Sequence, residues 1–487
     1  MRIGLLIALA AAAPSVPTSG NAAAGRDWGF EMALLGERAV VLGASMAGML
    51  AARVAAEHYR TVIVVDRDMP PGHPSRRRGV PQASHGHVLQ AGGVAVVDEL
   101  FPGILDEMVA EGTPTWGDGD LSRVILEYGG HRFLPSGHLP NPVTSYMPSR
   151  PFLDWHVMKR LSAIPNVTVL GGHDVVDVTS SEDRTRVTGV LVARRDEAAV
   201  LGADLVIDAS GRGSRAPVFL EDLGYGRPRE DELMINLAYT SQWLRIPPGA
   251  IRQHMVALFP KPGEATTVAL LNHENDTWLM TVGVMAGAEQ ARDYTDMVAM
   301  ARRRAPGHIL EVLETAEPVG QVAHYRTPSS RWRRYDEMPR RPDGFIAIGD
   351  AVCSFNPIYG QGMSVAALEA LALQRSLRKG DTDLPQRFSR AAAKVVRVAW
   401  RNAVSADLSL PEVAGERTLA MRVNNKFSDM VLTAVETDPV VNSQFFRVIG
   451  MLDSPTRLMR PSILARVVRA NLLRLQPTPV SEPALAG

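Results

Sequence analysis

Apolar runs and small-residue-rich helical segments alternate at the start of the chain. Residues 38–43 form a short apolar run, as expected for a strand that is buried on both faces. A helix is predicted from about Met46 to His58, and a second buried strand covers Thr61 to Asp66. A strand, tight turn, helix and strand within roughly 30 residues is a supersecondary unit of α/β domains.

Later segments continue this alternation. Further helices are predicted at 94–109, 152–161, 293–315 and 362–379, and further buried strands at 166–170, 187–192, 203–208 and 344–349. Residues 111–149 and 234–284 show β character, and helices follow residue 384. The pattern predicts two interleaved domains. The first is a discontinuous α/β domain of 36–110, 150–233 and 340–383, and the second is a β-rich domain of 111–149 and 234–339. A helical region of 384–476 and a tail of 477–487 follow them.

The first residues resemble a secretory signal peptide, with Arg2, an apolar run at 3–13 and alanines at 22–24. The run is shorter than the about 20 residues that a membrane-spanning helix needs. Met32 directly precedes the first strand and would be a natural start. We therefore treat 1–35 as a leader outside the fold and expect a cytoplasmic protein, with export as the alternative.

Composition excludes several classes of protein. Hydrophobic residues make up 46% and charged residues 21% of the 487, which is ordinary for a globular chain. Lys+Arg and Asp+Glu both number 52, so no net basic field indicates nucleic-acid binding. Cys353 is the single cysteine, which excludes an internal disulfide and a cysteine-rich metal site.

The first candidate site is the hexamer Gly43 to Gly48 after the first strand. It matches G-x-G-x-x-G except that Ser45 takes the middle position. Gly43 makes the turn, Gly48 lets the helix pack on the sheet, and a small residue at 45 lets backbone approach a pyrophosphate. Asp66, at the end of the second strand, is placed to bond ribose hydroxyls. Together these features predict a dinucleotide site.

The second candidate site follows the strand at 344–349. Gly349-Asp350-Ala351 leads into Pro357, Gly360, Gly362 and Met363, where a helix begins. Glycines here would let backbone approach a ligand, Asp350 could bond a ribityl hydroxyl, and the helix N-terminus could face an electron-rich ring edge.

This second run resembles the second FAD motif of flavoprotein monooxygenases of the hydroxylase and squalene-epoxidase type. Residues 78–82 with His85 and His87, and residues 208–214, are similar to bacterial flavin epoxidases of polyether-antibiotic pathways. The likeness extends from about residue 38 to 365. It implies a Rossmann-like FAD-binding domain interleaved with a β-sheet substrate domain, followed by a C-terminal helical region.

The resemblance also implies roles for matching positions in the first half of the chain. Met46, Ala47 and Gly48 would contact the FAD diphosphate. Asp66 and Arg67 would contact its adenosine half.

Other matching positions would reach the rest of the cofactor. Arg78 would lie on the loop leading to the flavin, and Arg150 would reach the phosphates or the ribityl chain. Val176 would offer backbone to the adenine, and Gly211, in the turn after the strand at 203–208, would contact the cofactor. Asp350 and Met363, with Pro357, Gly360 and Gly362, would hold the ribityl and isoalloxazine side.

Two departures from the family pattern bear on chemistry. Ser84 stands where polyether epoxidases tend to carry Arg. Residues 211–214, Gly-Arg-Gly-Ser, lack the Asp-Gly pair typical of single-component hydroxylases. The second departure leaves open whether electrons come from NAD(P)H directly or through a separate flavin reductase.

The implied activity is that of an FAD-dependent monooxygenase. It would insert one atom of O2 through a flavin C4a-hydroperoxide, epoxidising an alkene of a lipophilic polyketide or terpenoid intermediate, as in antibiotic biosynthesis. No protein nucleophile is needed, so no catalytic residue is assigned. An aromatic hydroxylase of the same superfamily, a flavin-dependent prenyl reductase and a non-catalytic FAD-bound protein remain alternatives.

Three residues are candidates for the substrate pocket, namely His85, His87 and Tyr359, together with apolar residues from 234–284. No carboxylate or cysteine cluster accompanies the histidines, so we expect no metal. Residues 463–475 form a basic amphipathic helix, which could contact a membrane but more often packs on its own domain.

Overall fold

The computed structural model describes residues 34–474. Of the predicted leader, residues 1–33 lie outside the described residues, as does the predicted tail at 477–487. The strands are β1 Gly36–Leu42, β2 Tyr59–Asp66, β3 Thr115–Trp116, β4 Val124–Tyr128, β5 His131–Arg132, β6 Ser145–Tyr146, β7 Val167–Gly171, β8 Asp174–Ser180, β9 Val187–Arg194, β10 Glu197–Gly202, β11 Leu205–Asp208, β12 Glu230–Arg245, β13 Met255–Leu258, β14 Thr266–Asn272, β15 Thr277–Val284, β16 Glu317–Arg333, β17 Phe345–Ala347 and β18 Cys353–Ser354. The helices are α1 Met46–Ala55, α2 Ala91–Leu100, α3 Ile104–Ala110, α4 Arg150–Ser162, α5 Ala216–Asp222, α6 Tyr294–Ala301, α7 Gly307–Thr315, α8 Gly362–Leu377, α9 Leu384–Asp407, α10 Leu419–Val435, α11 Pro439–Ile449 and α12 Pro461–Arg474.

A parallel sheet forms the first layer, with five strands in the order β17-β11-β1-β2-β7. The strands that the sequence predicts as buried, β1 and β11, have no polar break in their apolar cores, and Val40, Val41 and Ile207 are completely buried. Helices α1, α4 and α8 pack together on one face. The α/β fold class is confirmed, and the carboxyl ends of β1, β11 and β17 meet at one edge of the sheet.

A second, mixed sheet of eight strands has the order β18-β16-β12-β15-β14-β13-β4-β5. Its long strands β12 and β16 pair antiparallel along most of their length. Strand β4 pairs parallel with β13, which joins the segment after residue 111 to the segment after residue 230 in one sheet. A separate antiparallel sheet, β10-β9-β8, lies between β7 and β11 in the chain.

Two predicted helices are each divided in two. The prediction of one helix at 94–109 was wrong because Gly103 adopts a left-handed conformation with φ of 82° between α2 and α3. The prediction of one helix at 293–315 was also wrong, since Pro306 begins a new helix, α7, after α6 has ended. In both cases the apolar periodicity continued across a break that a single glycine or proline produces.

The C-terminal helices α9 to α12 pack beside both sheets. Helix α9 lies against α8 and β17, and α10 reaches the β4–β5 hairpin. His131 on β5 contacts Glu436 through Nδ1 at 2.9 Å and Asp429 on α10 through Nε2 at 3.0 Å. Within residues 34–474, no helix is both long and apolar enough to cross a membrane.

Candidate active site

The turn between β1 and α1 requires glycine at both ends of the predicted hexamer. Gly43 has φ of +99°, a conformation that other residues rarely adopt. A Cβ atom on Gly48 would lie 1.8 Å from the carbonyl oxygen of Gly43 and 3.3 Å from the Cβ of Ala209. This packing draws the first turn of α1 close to the ends of β1 and β11.

Two helix N-termini meet the same cleft. Neither α1 nor α8 has a side-chain cap or an acidic residue in its first turn, so their first backbone N–H groups have no side-chain acceptor. The two motifs adjoin, because a Cβ on Gly349 would lie 2.5 Å from the Cβ of Ala47. Such uncapped N-termini favour the negative charge of a phosphate or the electron-rich edge of a ring.

Asp350 stands in this cleft between the two helices. Asp350 can be reached by solvent, but much of the protein lies around it. This surrounding protein desolvates the carboxyl and raises its pKa, whereas the positive charges of Arg150 and Arg212 lower it. No side chain in the described part of the chain hydrogen-bonds the carboxylate. It is therefore available to accept hydrogen bonds from ligand hydroxyls.

We expect Asp350→Ala to lower FAD affinity by about tenfold or more while the fold is retained. A hydrogen bond to a charged group is worth roughly 1.5–3 kcal/mol, and this carboxylate has no structural partner to lose. Flavin fluorescence titration of the apoprotein and far-UV circular dichroism measure the two effects. Asp196→Ala, at an exposed position in the β9–β10 turn, is the control. Unchanged FAD affinity in Asp350→Ala would contradict a ligand role.

A buried chain of charges runs beside the first motif. The Arg150 guanidinium donates from Nε to Asp154 Oδ1 at 2.7 Å and from Nη2 to Ser45 Oγ at 2.9 Å. Arg77 donates to the other oxygen of Asp154 at 3.3 Å and lies 4.0 Å from Asp66. Arg150 therefore lies beside the first turn of α1, and its contact with the phosphates or the ribityl chain of a cofactor stays a prediction.

The run 76–78 contains one buried and one exposed arginine of interest. Arg78, predicted from the resemblance to lie on the loop leading to the flavin, has an exposed side chain and stays a candidate, whereas Arg77 is 9% exposed and joins the charge chain. Three consecutive arginines give no signal that distinguishes the buried one. Asp154 was also missed, although its spacing of four from Arg150 on one helix is the spacing of a helical ion pair.

The adenosine end is built from the ends of β2 and β7. Asp66 Oδ2 accepts from the Ala44 N–H at 2.6 Å, and Oδ1 accepts from the Asp68 N–H at 2.8 Å. Arg67 is exposed next to it. Val176 lies farther along β8 at an irregularity in the strand pairing, and its carbonyl accepts from Arg215 at 2.7 Å. The carbonyl of Val176 is thus already engaged within the protein.

The turn after β11 ties the parallel sheet to the mixed sheet. Gly211 has φ of +80°, and a Cβ there would meet no atom within 4 Å. Arg212 donates from Nη1 to the Ser329 carbonyl at 2.6 Å and to Ser354 Oγ at 2.9 Å. Asp208 Oδ1 accepts from the N–H of Ser210 at 2.9 Å, which holds the turn. Gly211 therefore borders open space, while Arg212 is committed to contacts between the domains.

Tyr359 belongs to a group of half-buried aromatic rings, which we call the aromatic wall: Tyr128, Phe259 and Tyr359. The rings of Phe259 and Tyr359 are nearly parallel with centroids 6.4 Å apart, and Tyr128 lies 5.1 Å from Phe259 and 6.2 Å from Tyr359. The wall combines β4, the end of β13 and the second motif. Because β4 and the second motif are more than 200 residues apart, the sequence could not show this group.

Asp407, at the end of α9, fixes the loop that carries Tyr359. Its Oδ1 accepts from the Tyr359 hydroxyl at 2.8 Å and from Asn356 Nδ2 at 2.7 Å. Burial raises the pKa of Asp407 to about 6, while these two hydrogen bonds lower it. Burial, and after it the charge of Asp407, raises the pKa values of Tyr128 and Tyr359, so both phenols stay protonated near neutral pH.

His85 lies against the mixed sheet, on the other side of the predicted pocket. Its Nδ1 is 2.8 Å from Ser241 Oγ, which is 2.7 Å from Thr281 Oγ1. Burial lowers the pKa of His85 to about 4, so the ring is neutral near pH 7. Residues 234–284 were expected to present an apolar lining, but the strands β12 and β15 place hydroxyls beside this histidine.

His87 lies nearer the charge chain. Its Nδ1 is 2.8 Å from the His85 carbonyl, and burial followed by the charge of Arg150 lowers its pKa to about 3. Met363 is buried in the core beneath the first turn of α8, with Pro357 and Gly360 on the loop before it and Gly362 as the first helical residue. Gly360 has φ of +63°, a conformation that glycine adopts readily.

Behind the second motif, Glu369 of α8 is completely buried. Its Oε2 accepts from the Gly349 N–H at 2.9 Å, and Oε1 has no hydrogen-bond partner among the described residues. Burial raises the pKa of Glu369 to about 8, with the charge of Asp350 acting in the same direction. The carboxyl is therefore protonated at neutral pH and anchors the turn that carries Asp350.

We expect this carboxyl to make stability fall with rising pH. A folded-state pKa above the unfolded one favours folding fully at low pH, and this contribution is lost as the pH rises from 4.5 to about 8. Glu369→Gln keeps a neutral acceptor for Gly349, so its Tm should match the wild type near pH 5 and exceed it near pH 8. Thermal unfolding across this range measures the difference. Parallel pH curves for the two proteins would contradict the assignment.

A candidate metal cluster lies outside the cleft. Within residues 34–474, Glu107, Glu111 and His156 bring potential ligand atoms within 4.8 Å of one another. Lys159 already lies 2.6 Å from Glu107, and Arg160 lies 2.8 Å from it. These cations satisfy the carboxylate charge, and we assign no metal to this cluster.

These features fit FAD. Two uncapped helix N-termini, close backbone approaches at the glycines and an unpaired carboxylate in one cleft match a molecule with a diphosphate, hydroxyl chains and an electron-rich ring.

Comparison with known proteins agrees with this fit. Residues 39–231 match the family model of FAD dependent oxidoreductases. Protein Rv3254 of Mycobacterium tuberculosis is 37% identical over 448 residues, which cover 90% of this chain and 94% of that protein. Kynurenine 3-monooxygenase of Salinispora arenicola is 27% identical, covering 77% of this chain and 78% of that protein. The fold of p-nitrophenol 4-monooxygenase PnpA from Pseudomonas putida matches with a TM-score of 0.59 at 16% identity, over 87% of this chain and all of that one.

The chain belongs to the FAD-dependent oxidoreductases, in the flavin monooxygenase superfamily, and is an enzyme of that type.

Proposed function

We propose that this enzyme transfers one oxygen atom from O2 to a carbon–carbon double bond of a lipophilic polyketide- or terpenoid-like substrate and so forms an epoxide. The aromatic wall carries this proposal, because Tyr128, Phe259 and Tyr359 offer ring surfaces beside the second FAD motif. An uncharged π-bonded carbon skeleton suits such a surface. The likeness of residues 78–87 and 208–214 to polyether-pathway epoxidases supports the same reaction.

The residues of the chain would position and shield the reaction. Bound FAD, once reduced, supplies the activated oxygen. The phenol of Tyr359, held by Asp407, fixes one ring of the wall. Raised pKa values keep Tyr128 and Tyr359 protonated, so they can donate hydrogen bonds but do not act as bases. The rings of the wall, with the apolar core that packs against Tyr128, would exclude from their side the water that would divert the oxidant.

Hydroxylation of an aromatic ring is the second candidate, and His85 is the observation that favours it. A neutral imidazole beside Ser241 and Thr281 can accept a hydrogen bond from the hydroxyl of a phenol, which orients the ring and makes it more electron-rich. The names of kynurenine 3-monooxygenase and p-nitrophenol 4-monooxygenase indicate oxygenation of aromatic substrates in those proteins.

The activity test is product formation under labelled oxygen. The purified holoenzyme, with NADPH and a flavin reductase supplied, is offered lipophilic polyenes and phenols under ¹⁸O₂. A polyene product that gains one labelled oxygen supports epoxidation, and a labelled phenol product supports the second candidate. Oxygen-independent reduction of a polyene would instead indicate a prenyl reductase and contradict both.

We expect His85→Ala to separate the two reactions. If a phenol must be oriented by a hydrogen bond to this ring, its turnover should fall about tenfold, because one hydrogen bond contributes about 1 kcal/mol. Epoxidation requires no such hydrogen bond, so polyene turnover should change by less than about twofold. The flavin spectrum of the variant is the control for intact cofactor binding. A tenfold loss of polyene turnover with an unchanged flavin spectrum would contradict the proposed role of the pocket.

We also propose that a separate flavin reductase supplies the electrons. Residues 211–214 lack the Asp-Gly pair of single-component enzymes, and Arg212 is occupied by Ser329 and Ser354. Anaerobic titration with NADPH tests this directly. Flavin that stays oxidised until a reductase is added supports the proposal, whereas direct bleaching contradicts it.

A further inference from the structure

Exposed apolar side chains gather on the C-terminal helices. Leu472 and Leu473 of α12 are 59% and 55% exposed, and Leu419 of α10 is 78% exposed. Val468 of α12 and Val423 of α10 are also exposed. We call these five residues the apolar patch. Elsewhere in residues 34–474 the exposed large hydrophobic side chains are scattered over separate elements, as is ordinary for a protein surface.

The two helices that carry the patch run antiparallel. Arg466 of α12 pairs with Asp438, beyond the C-terminal end of α10, at 2.9 Å. Five residues later, Asn471 donates to the carbonyl of Met430 inside α10 at 2.9 Å. Arg474, at the end of α12, also donates to Thr433 of α10 at 3.1 Å, so α12 packs along the C-terminal half of α10, and Leu419 and Val423 lie on the N-terminal half of the same helix.

Helix α12 has a different, inward face. Ile463 and Val467 are buried and pack with α10 and α11. Packing on its own domain, the more usual arrangement for such a helix, therefore accounts for this inner face only. Val468, Leu472 and Leu473 lie outside it and lack cover from the described residues.

The charge on α12 and on the segment before it is positive. Residues 454–474 contain five arginines and no Asp or Glu. Exposed Arg460 and Arg469 have no carboxylate within 4.0 Å in the described part of the chain. Arg422 and Lys426, exposed on α10, add to the same sign. A second copy of the chain meeting this face symmetrically would bring these cations together, which disfavours self-association.

We propose that the apolar patch docks on an anionic lipid bilayer, with α12 lying along the surface. Apolar side chains flanked by arginines on a helix suit the boundary between acyl chains and anionic headgroups. The 14 residues of α12 extend about 21 Å, less than the roughly 30 Å of a bilayer core, so the helix would lie in the interface.

Docking through the patch would bring the enzyme close to a membrane-dissolved substrate, and this part of the inference rests on the proposed function. The core beneath α10 and α12 includes Phe133 and Phe445, and Phe445 lies 6.2 Å from Tyr128 of the aromatic wall. Apolar packing is therefore continuous from the inner faces of α10 and α12, beneath the patch, to the aromatic wall. A lipophilic substrate dissolved in the bilayer would be close to the site that oxygenates it.

The test is cosedimentation of the holoenzyme with phosphatidylcholine vesicles, with and without phosphatidylserine, at low and high salt. We expect binding to the anionic vesicles that weakens with salt. Leu472→Ser/Leu473→Ser should lower the vesicle partition coefficient about tenfold or more, because burial of a leucine side chain is worth at least that much. Arg460→Gln/Arg469→Gln should lower it about tenfold, through the anionic vesicles only.

Matched controls are Val200→Ser, an exposed apolar position on β10, and Arg303→Gln, an exposed position after α6. Both should bind as the wild type does.

Equal binding by the wild type and the α12 variants would place the lipid contact elsewhere in the chain and overturn the proposal. No binding to anionic vesicles would also overturn it, and a dimer in sedimentation velocity that Leu472→Ser/Leu473→Ser abolishes would identify the patch as a contact between copies. Vesicle binding needs no turnover, so failure of the proposed oxygenation would leave this result unaffected.

Discussion

Gly48→Ala should weaken FAD binding by more than about tenfold and destabilise the protein. The added Cβ would lie 1.8 Å from the carbonyl oxygen of Gly43, a backbone atom that cannot move without distorting the end of β1. Helix α1 would have to shift away from β1 and β11, which carries its free N–H groups away from the diphosphate position. Overpacking of this kind costs typically 1–3 kcal/mol in stability. We expect FAD affinity to fall by more than about tenfold, since each tenfold corresponds to about 1.4 kcal/mol.

Flavin absorbance of the purified protein and its thermal unfolding midpoint measure the two effects. Gly72→Ala is the matched control, because a Cβ there meets no atom within 4 Å and its φ is not in the left-handed region. That variant should keep the wild-type flavin content and Tm. If Gly48→Ala bound FAD as tightly as Gly72→Ala, the close approach of α1 to β1 would be unimportant for the site.

Arg150→Met should also have a large effect, on both stability and cofactor affinity. Arg150 is 5% exposed and bonds Asp154 and Ser45, and its removal leaves Asp154 buried with Arg77 as its remaining cation. Breaking a buried pair by removing one partner costs about 3–5 kcal/mol. We expect the free energy of unfolding to fall toward the lower end of this range, because Arg77 compensates in part. The phosphates of FAD would lose a cation at the same time.

Urea unfolding and FAD titration provide the measurements. Arg60→Met removes an exposed ion pair with Glu37 at 2.7 Å and should change the unfolding free energy by less than about 1 kcal/mol. Arg150→Lys keeps the positive charge but cannot donate the two guanidinium hydrogen bonds to Asp154 and Ser45. Its FAD affinity should therefore lie between those of the wild type and Arg150→Met. Equal affinities for all three proteins would show that Arg150 acts on the fold alone.

The local features of the cofactor site were readable from the sequence. The turn from Gly43 to Gly48 depends on residues a few positions apart, and its steric requirement admits few residue types. The same is true of Gly349, Asp350 and Gly360, which stand next to a strand end and a helix start. Strand–turn–helix order therefore predicted the α/β fold and a dinucleotide site, and the resemblance of residues 349–363 to a flavoprotein motif narrowed the dinucleotide to FAD.

Helix boundaries were less readable. The apolar period runs through Gly103 and through Pro306, so a window of hydrophobicity predicts one helix where the backbone makes two. The backbone preference of Gly103 or Pro306 favours a helix end at these positions. Contacts with the surrounding residues determine whether the helix ends there.

Contacts between distant segments were decided by the tertiary structure alone. Arg77, among three consecutive arginines, is the one that meets Asp154, and Asp407 reaches Tyr359 from a helix 48 residues later. The hydroxyls of Ser241 and Thr281 come together beside His85 because two antiparallel strands place them there.

The sequence by itself thus determined a dinucleotide site, since a βα turn encodes its own geometry in adjacent residues, and the motif resemblance identified the dinucleotide as FAD. The tertiary structure decided which charges are buried, which rings face the substrate and which helix faces stay uncovered. Those properties depend on burial and on distances between segments remote in the chain, and neither quantity is a property of a local run of residues.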